Sequence, residues 1–281
     1  MNRRGPISES QVEAMISLLT DASASVVDGC RRALLSHAEM AEPMLRERLA
    51  QQDSHSAVFQ AVLDDIGRNR AEAQLIRYLE GAPDLEQGSL LIGRLVDGDA
   101  GPDGVPAALD AMADQVDAEP GRTTDALAAM TAVLVRHNDL KGIDPSLAAP
   151  VDALLHGVTA RRRGLPLPLC VAWVLIARRC RLPLTGVNMP GHFLVRWQRE
   201  SGSVLIDPFH KARIVSEDHC KAYLQRGGFP STDIAQLDAS DLEMLLRTLR
   251  NLVMIASRRK DRALAARCSR ILNAVEKRKG R

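Results

Sequence analysis

The first 150 residues place apolar side chains at helical spacing almost without a break. Ser8 and Gln11 have the spacing of a capping box, and Val12, Met15, Ile16 and Leu19 follow at i, i+3, i+4 and i+7, the stripe of an amphipathic helix. Comparable stripes recur over 24–37, 39–50, 55–69, 71–81, 86–96, 106–117 and 123–137. The turn-forming stretches GDAGPDGVP at 98–106 and DAEPGR at 117–122 divide the later ones. No fixed-period repeat emerges, so these helices must bury their stripes on one another or on the domain that follows.

The pattern changes after Pro150. VDALLHGVTARRR (151–163) reads as a helix with arginines in its last turn and Gly164 as its stop. In GLPLPLCVAWVLIARRCRLP (164–183) either proline can open a helix, and Pro168 suits the first helical position. From Leu169 to Ile176 the run is apolar on every side, which predicts a centrally buried helix. Strand-like pieces follow at 184–189, 192–197 and 203–209, then a helix near 216–226 and a closing helical pair at about 239–257 and 260–278. The prediction is a predominantly helical α+β protein in three parts: a helical domain at 1–150, a core with a small antiparallel sheet at 151–235, and a helical, basic tail at 236–281.

With 281 residues, 46% hydrophobic, the chain can bury a substantial core. No apolar run reaches the roughly 18 residues of a membrane span. MNRRGPISES lacks the apolar stretch of a secretory signal, so a cytoplasmic location is expected. The net charge of +2 does not point to nucleic acid, but residues 258–281 hold ten Lys/Arg against Asp261 and Glu276. That basic tail leaves RNA or an acidic partner open, beside the plainer reading of a solvated helix end. The five cysteines, at 30, 170, 180, 220 and 268, are odd in number and form no CxxC pair. This argues against a disulfide framework and a zinc site, and neither a metal nor another cofactor is expected.

Candidate chemistry gathers where the strands begin. In NMPGHFLVRW (188–197) a histidine follows a Pro-Gly turn at the mouth of a buried strand, and SVLIDPF (203–209) carries Asp207 in the matching place. A four-residue turn at 198–201 pairs Trp197 with Gly202 and sets His192 opposite Asp207, with Phe193, Val195, Val204 and Ile206 on the other face. A carboxylate on one ring nitrogen fixes the histidine's tautomer and leaves the other free for proton transfer. With Pro168 as the first helical residue, Cys170 falls in the first turn, where free backbone N–H groups favour a thiolate. Cys170, His192 and Asp207 would then make a thiol acyl-transfer triad. Each also has an ordinary reading: a buried small hydrophobe, a satisfied structural histidine and an Asx turn before Pro208.

At these residues the chain resembles the transglutaminase-like superfamily, and within it the bacterial SirB-type proteins. The stretches that carry the likeness are RRRGLPLPL (161–169), RLPL (181–184), GVNMPGHFLVRW (186–197) and LIDPF (205–209), with PGHF followed by IDPF the most specific. The resemblance implies a papain-like core behind a helical N-terminal region, and a tetratricopeptide-like tail opening at MLLRTLRNL (244–252). The chain departs from the family pattern at Pro168, where serine is usual, and at His210, Lys211 and Ala212, which replace a glycine-rich turn. Asp152 and Ala153 stand for an Asn-Ser pair, and an ungapped alignment puts the nucleophile nearer Pro166 to Pro168 than Cys170.

Two functions follow. As an enzyme, Cys170 attacks an amide or peptide carbonyl, His192 moves the proton, Asp207 orients His192 and helix-start N–H groups hold the oxyanion. As a non-catalytic regulatory or scaffold protein, the chain keeps the His–Asp hairpin for structural reasons and binds a protein or peptide partner through its helical regions.

Overall fold

The computed structural model describes residues 7–51, 55–98, 102–123, 125–199, 202–229 and 233–279. The chain forms two compact units, Met1–Ala73 and Gln74–Arg281. The sequence reading drew its first boundary at 150. The compact division falls earlier because the helices after residue 84 pack into the core they precede.

In the first unit, α1 (Glu9–Ser17), α2 (Ala24–Ser36), α3 (Ala38–Ala50) and the opening turns of α4 (Ser56–Leu79) surround a core of Val12, Ile16, Leu34, Leu45, Phe59 and Val62. The Ser8/Gln11 capping box forms as its spacing predicts: the Gln11 amide N–H donates to Ser8 Oγ, and the Gln11 side chain accepts from the Ser8 N–H. The stripes at 55–69 and 71–81 are one helix, since Arg70 is an ordinary helix former and no proline or glycine separates them.

The second unit is built around one buried helix. Its helices are α5 (Leu85–Asp97), α6 (Val105–Ala118), α7 (Ala126–Thr131), α8 (Leu155–Arg161), α9 (Pro166–Arg179), α10 (Glu217–Arg226), α11 (Asp241–Arg258) and α12 (Arg262–Lys279). In α9 every residue from Leu167 to Ala177 is buried, as its all-round apolar sequence predicts. Helices α5, α6, α8 and α11 pack around it. Arg179 fixes its far end, donating to both Glu86 carboxylate oxygens at 2.8 and 2.9 Å and to Asp110 at 2.6 Å. Arg178 pairs with Asp241 at 2.9 and 2.5 Å, and Asp241 also accepts from the Leu85 N–H, so one carboxylate ties α5, α9 and α11.

Strands β1 (Lys141–Gly142) and β2 (Arg163–Gly164) form a two-residue parallel pair. The main sheet is antiparallel, in the order β6 (Arg213–Val215), β5 (Gly202–Asp207), β4 (Leu194–Arg199), β3 (Leu184–Val187), β7 (Asp238–Ala239). Helix α9 packs on β3 and β4. The opposite face, bearing Val187, Leu194, Leu205 and Val215, is covered by Cys220 and Leu224 of α10. The middle of the sheet is therefore buried on both sides, while its β6 edge stays open, with Ile214 exposed.

Two local expectations change. Val195 pairs with Ile206 rather than Val204, because Arg199 already pairs with Gly202 across a shorter connection; Glu200 and Ser201 of the expected turn lie outside the described residues. A shift of two preserves which residues share a face. The helix expected at 151–163 begins only at Leu155, after a tight turn at Pro150–Ala153, and ends at Arg162 in the left-handed conformation rather than at Gly164. Residues 1–6, 99–101 and 280–281, which belong to the expected N-terminus, loop and basic tail, also lie outside the described residues.

Candidate functional site

His192 is placed by its turn. Gly191 has φ +74°, and a side chain there would meet the Tyr223 hydroxyl at 2.8 Å. Glycine alone takes that conformation without cost. The His192 N–H donates to the Met189 carbonyl at 3.2 Å, and the half-buried ring stands edge-on to Phe209 at 5.9 Å.

Asp207 ends β5 and is 2% exposed. Its Oδ2 lies 3.0 Å from His192 Nε2 and 2.7 Å from His210 Nδ1, and its Oδ1 accepts the His210 N–H at 3.2 Å. Burial pushes this carboxyl's pKa up, but the hydrogen bonds and charges of His192 and His210 outweigh it, so the group stays below the usual carboxylate range. The chain then reverses through Lys211 and Ala212, at φ 57° and 58°. Two successive non-glycine residues in the left-handed region are strained, and the strain sits in the stretch where the resemblance leads one to expect a glycine-rich turn.

Cys170 lies elsewhere relative to its helix than expected. Helix α9 opens at Pro166, not Pro168, because the Leu165 N–H is held by the Asp152 carbonyl at 2.9 Å and Leu165 becomes the cap. Cys170 is then the fifth helical residue, beyond the turn whose N–H groups are free. Its thiol is fully buried and donates to the Phe193 carbonyl at 3.5 Å. Burial, and after it the charge of Asp207, drives its pKa well above the ordinary thiol value, the reverse of the expected activation. The structure therefore joins His192 to Asp207 and sets the Cys170 sulfur against backbone in the core.

Two cavities meet at His192 and His210. The smaller, about 220 Å³, runs under α10 and is also lined by Asp207, His219, Cys220 and Tyr223. The larger, about 560 Å³, opens between the start of α9 and α11, with Leu165, Pro166, Leu167 and Phe209 on one side and Arg247 and Arg258 on the other. Arg247 is half-buried and donates to Asn188 Oδ1 at 2.9 Å. Burial, then the neighbouring Arg250, lowers its pKa. Sequence reasoning missed His210, Cys220 and Arg247. His210 stood visibly in an unusual turn, whereas only the fold brings α10 and α11 to this sheet end.

An enclosed helix laid on an antiparallel sheet, with a His–Asp pair at the end of adjoining strands, defines a helical α+β protein of transglutaminase-like type. The chain belongs to the transglutaminase-like superfamily, whose family model matches residues 104–250. It is similar to a "UPF0162 protein" of Xylella fastidiosa strain Temecula1, 34% identical over 156 residues that make up 53% of this chain and 56% of that one. It is also similar to "UPF0162 protein PA3419" of Pseudomonas aeruginosa, 38% identical over 111 residues, 38% of this chain and 40% of that one. A shorter likeness, 33% over 103 residues, joins 34% of this chain to 16% of human "F-box only protein 21". The chain spans about half the length of the Xylella relatives it matches. No solved structure matches it. Among the described residues no helix is long and apolar enough to cross a membrane.

Proposed function

We propose that this chain is a non-catalytic binding member of its superfamily, and that the groove between α9 and α11 takes an acidic peptide segment bearing aliphatic side chains. The observation that carries this is the placement of Cys170: its sulfur is enclosed and bonded to Phe193, while the helix start facing the groove beside His192 is Leu165, Pro166 and Leu167, with no nucleophile. The groove's chemistry supports the choice of ligand. Leu167, Phe193, Phe209 and the exposed Met254 supply apolar surface, and Arg247, Arg250 and Arg258 supply cations. Arg250 is paired with Glu276 at 2.9 Å, whereas no carboxylate lines the groove among the described residues. Carboxylates meeting such a cationic rim gain both steering and charge-assisted hydrogen bonds.

A fluorescent peptide of alternating Asp, Glu and Leu, compared with its Lys/Leu counterpart by anisotropy, tests the reading. The acidic peptide is expected to bind with an affinity that falls with salt, and Arg247→Glu and Arg258→Glu to weaken it at least about tenfold. Equal binding of both peptides, or indifference to both substitutions, overturns the reading.

The second reading is thiol acyl transfer by Cys170, His192 and Asp207, favoured by the 3.0 Å contact between His192 and Asp207. It requires that Cys170→Ala abolish amide or peptide turnover. We further assign the chain to the SirB-type group and read the α11–α12 hairpin as its tetratricopeptide-like tail. Five cysteines, odd in number and without a CxxC pair, favour a reducing compartment, so we place the protein in the cytoplasm.

A further inference from the structure

We propose that His192, Asp207 and His210 form a binding site for a divalent transition-metal ion. The inference stands apart from the peptide-binding reading: His192 and His210 also border the groove, but the three donors converge with nothing bound in it.

The geometry is that of convergent donors. His192 Nε2 and His210 Nδ1 both point at the same carboxylate oxygen, Asp207 Oδ2, at 3.0 and 2.7 Å, and the donor atoms lie within 4.8 Å of one another. An ion held by nitrogen and oxygen at about 2.0–2.2 Å sets tetrahedral neighbours about 3.3 Å apart. To hold one, Asp207 Oδ2 opens by a few tenths of an ångström while the two ring nitrogens, up to 4.8 Å apart, close by as much as about 1.5 Å through side-chain rotation. Two imidazoles and a carboxylate on one face suit zinc, iron(II) and their neighbours, whereas calcium and magnesium prefer all-oxygen sets.

The surroundings support the assignment. The His210 N–H holds Asp207 Oδ1, which leaves Oδ2 as the single oxygen turned to both rings, an orienting contact of the kind that metal ligands need. His210 is about half exposed, so its ring is not there to fill the core, and it sits just before two left-handed residues that fix the turn. The small cavity under α10 adjoins all three ligands and leaves room for a further ligand or water. One contact opposes binding: the Arg213 guanidinium lies 3.8 Å from Asp207 Oδ2, but that side chain is itself more than half exposed and free to withdraw.

The test is Zn²⁺ titration of chelator-treated full-length protein against a chromophoric competitor, with Co²⁺ as spectroscopic probe. One equivalent is expected to bind. His210→Ala and His192→Ala should each weaken it at least about 100-fold, more than the loss of a merely orienting group. His219→Ala, which alters the same cavity outside the trio, should change affinity less than threefold, and Arg213→Gln should tighten it. Circular dichroism and thermal melts confirm that each variant folds; His210, exposed and outside the core, is the variant on which the result turns. The assignment fails if wild type binds no more tightly than His210→Ala, if His219→Ala is the damaging change, or if the Co²⁺ spectrum shows a thiolate charge-transfer band. Arg258→Glu should leave Zn²⁺ binding intact, so the site and the peptide groove stand or fall separately.

Discussion

Replacing Gly191 by alanine tests how tightly the turn before His192 is specified. The backbone there has φ +74°, where a Cβ costs roughly 1–2 kcal/mol. The alanine also restricts the unfolded chain, which returns roughly 0.4–1 kcal/mol. The new methyl meets the Tyr223 hydroxyl at 2.8 Å, the far end of a half-buried side chain that can move aside. The net expectation is a loss of about 1 kcal/mol, which for a unit of this size lowers the melting temperature by roughly 2–4 °C. Urea unfolding of Gly191→Ala, Tyr223→Phe and the double variant separates the two causes, because without the hydroxyl only the backbone cost remains. Gly191→Asn should be milder than alanine, since asparagine tolerates the left-handed region. If asparagine proves the more damaging, or if alanine melts with wild type, the conformational argument is wrong and His192 is not held by its turn.

Further expectations concern packing, reactivity and pH. Gly157→Ala should cost more than Gly191→Ala, because its methyl would overlap the Val151 carbonyl oxygen, backbone that cannot move aside; loss of soluble protein or about 3 kcal/mol or more in urea is expected. Iodoacetamide, followed by peptide mass spectrometry, should label half-buried Cys30 well before Cys170 at pH 8, and fastest labelling of Cys170 would restore the catalytic reading. Asp65 titrates below the ordinary carboxylate value, burial being outweighed by hydrogen bonds from Arg68 and Arg31. Its contribution is complete above the unfolded pKa of about 3.9 and is lost as pH falls through the lower folded value. Asp65→Asn should therefore flatten the acid limb of the stability curve, and an unchanged limb would show that the pairing is immaterial.

Elements defined by many residues acting together were legible in the sequence. The all-round apolar run of α9, the stripes of α1, α5 and α11 and the alternation of the hairpin each sum several burial preferences, so one ambiguous residue does not hide them. Boundaries decided by single contacts were not. Pro166 and Pro168 are equal candidates to open a helix, and the bond from Leu165 to the Asp152 carbonyl chooses between them. That choice moves Cys170 out of the first turn. Strands β6 and β7, of three and two residues, carry too little pattern to read and form because β5 and β3 offer open edges. The site was half legible: PGHF and IDPF announce His192 and Asp207, whereas Cys220 and Arg247 reach the cavities only through the return of α10 and α11 over the sheet.

The enclosure of α9 bears on how the protein is made. One wall of its surroundings is α11, fastened by Arg178 to Asp241 and lying so close to α5 that a methyl on Gly88 would overlap Leu245. During translation the helix from Pro166 to Arg179 leaves the ribosome some sixty residues before that wall exists. Until residue 241 and its successors emerge, the nascent chain presents an oily, uncovered flank, and chains released early should be clients of chaperones and proteases rather than smaller working versions of the molecule.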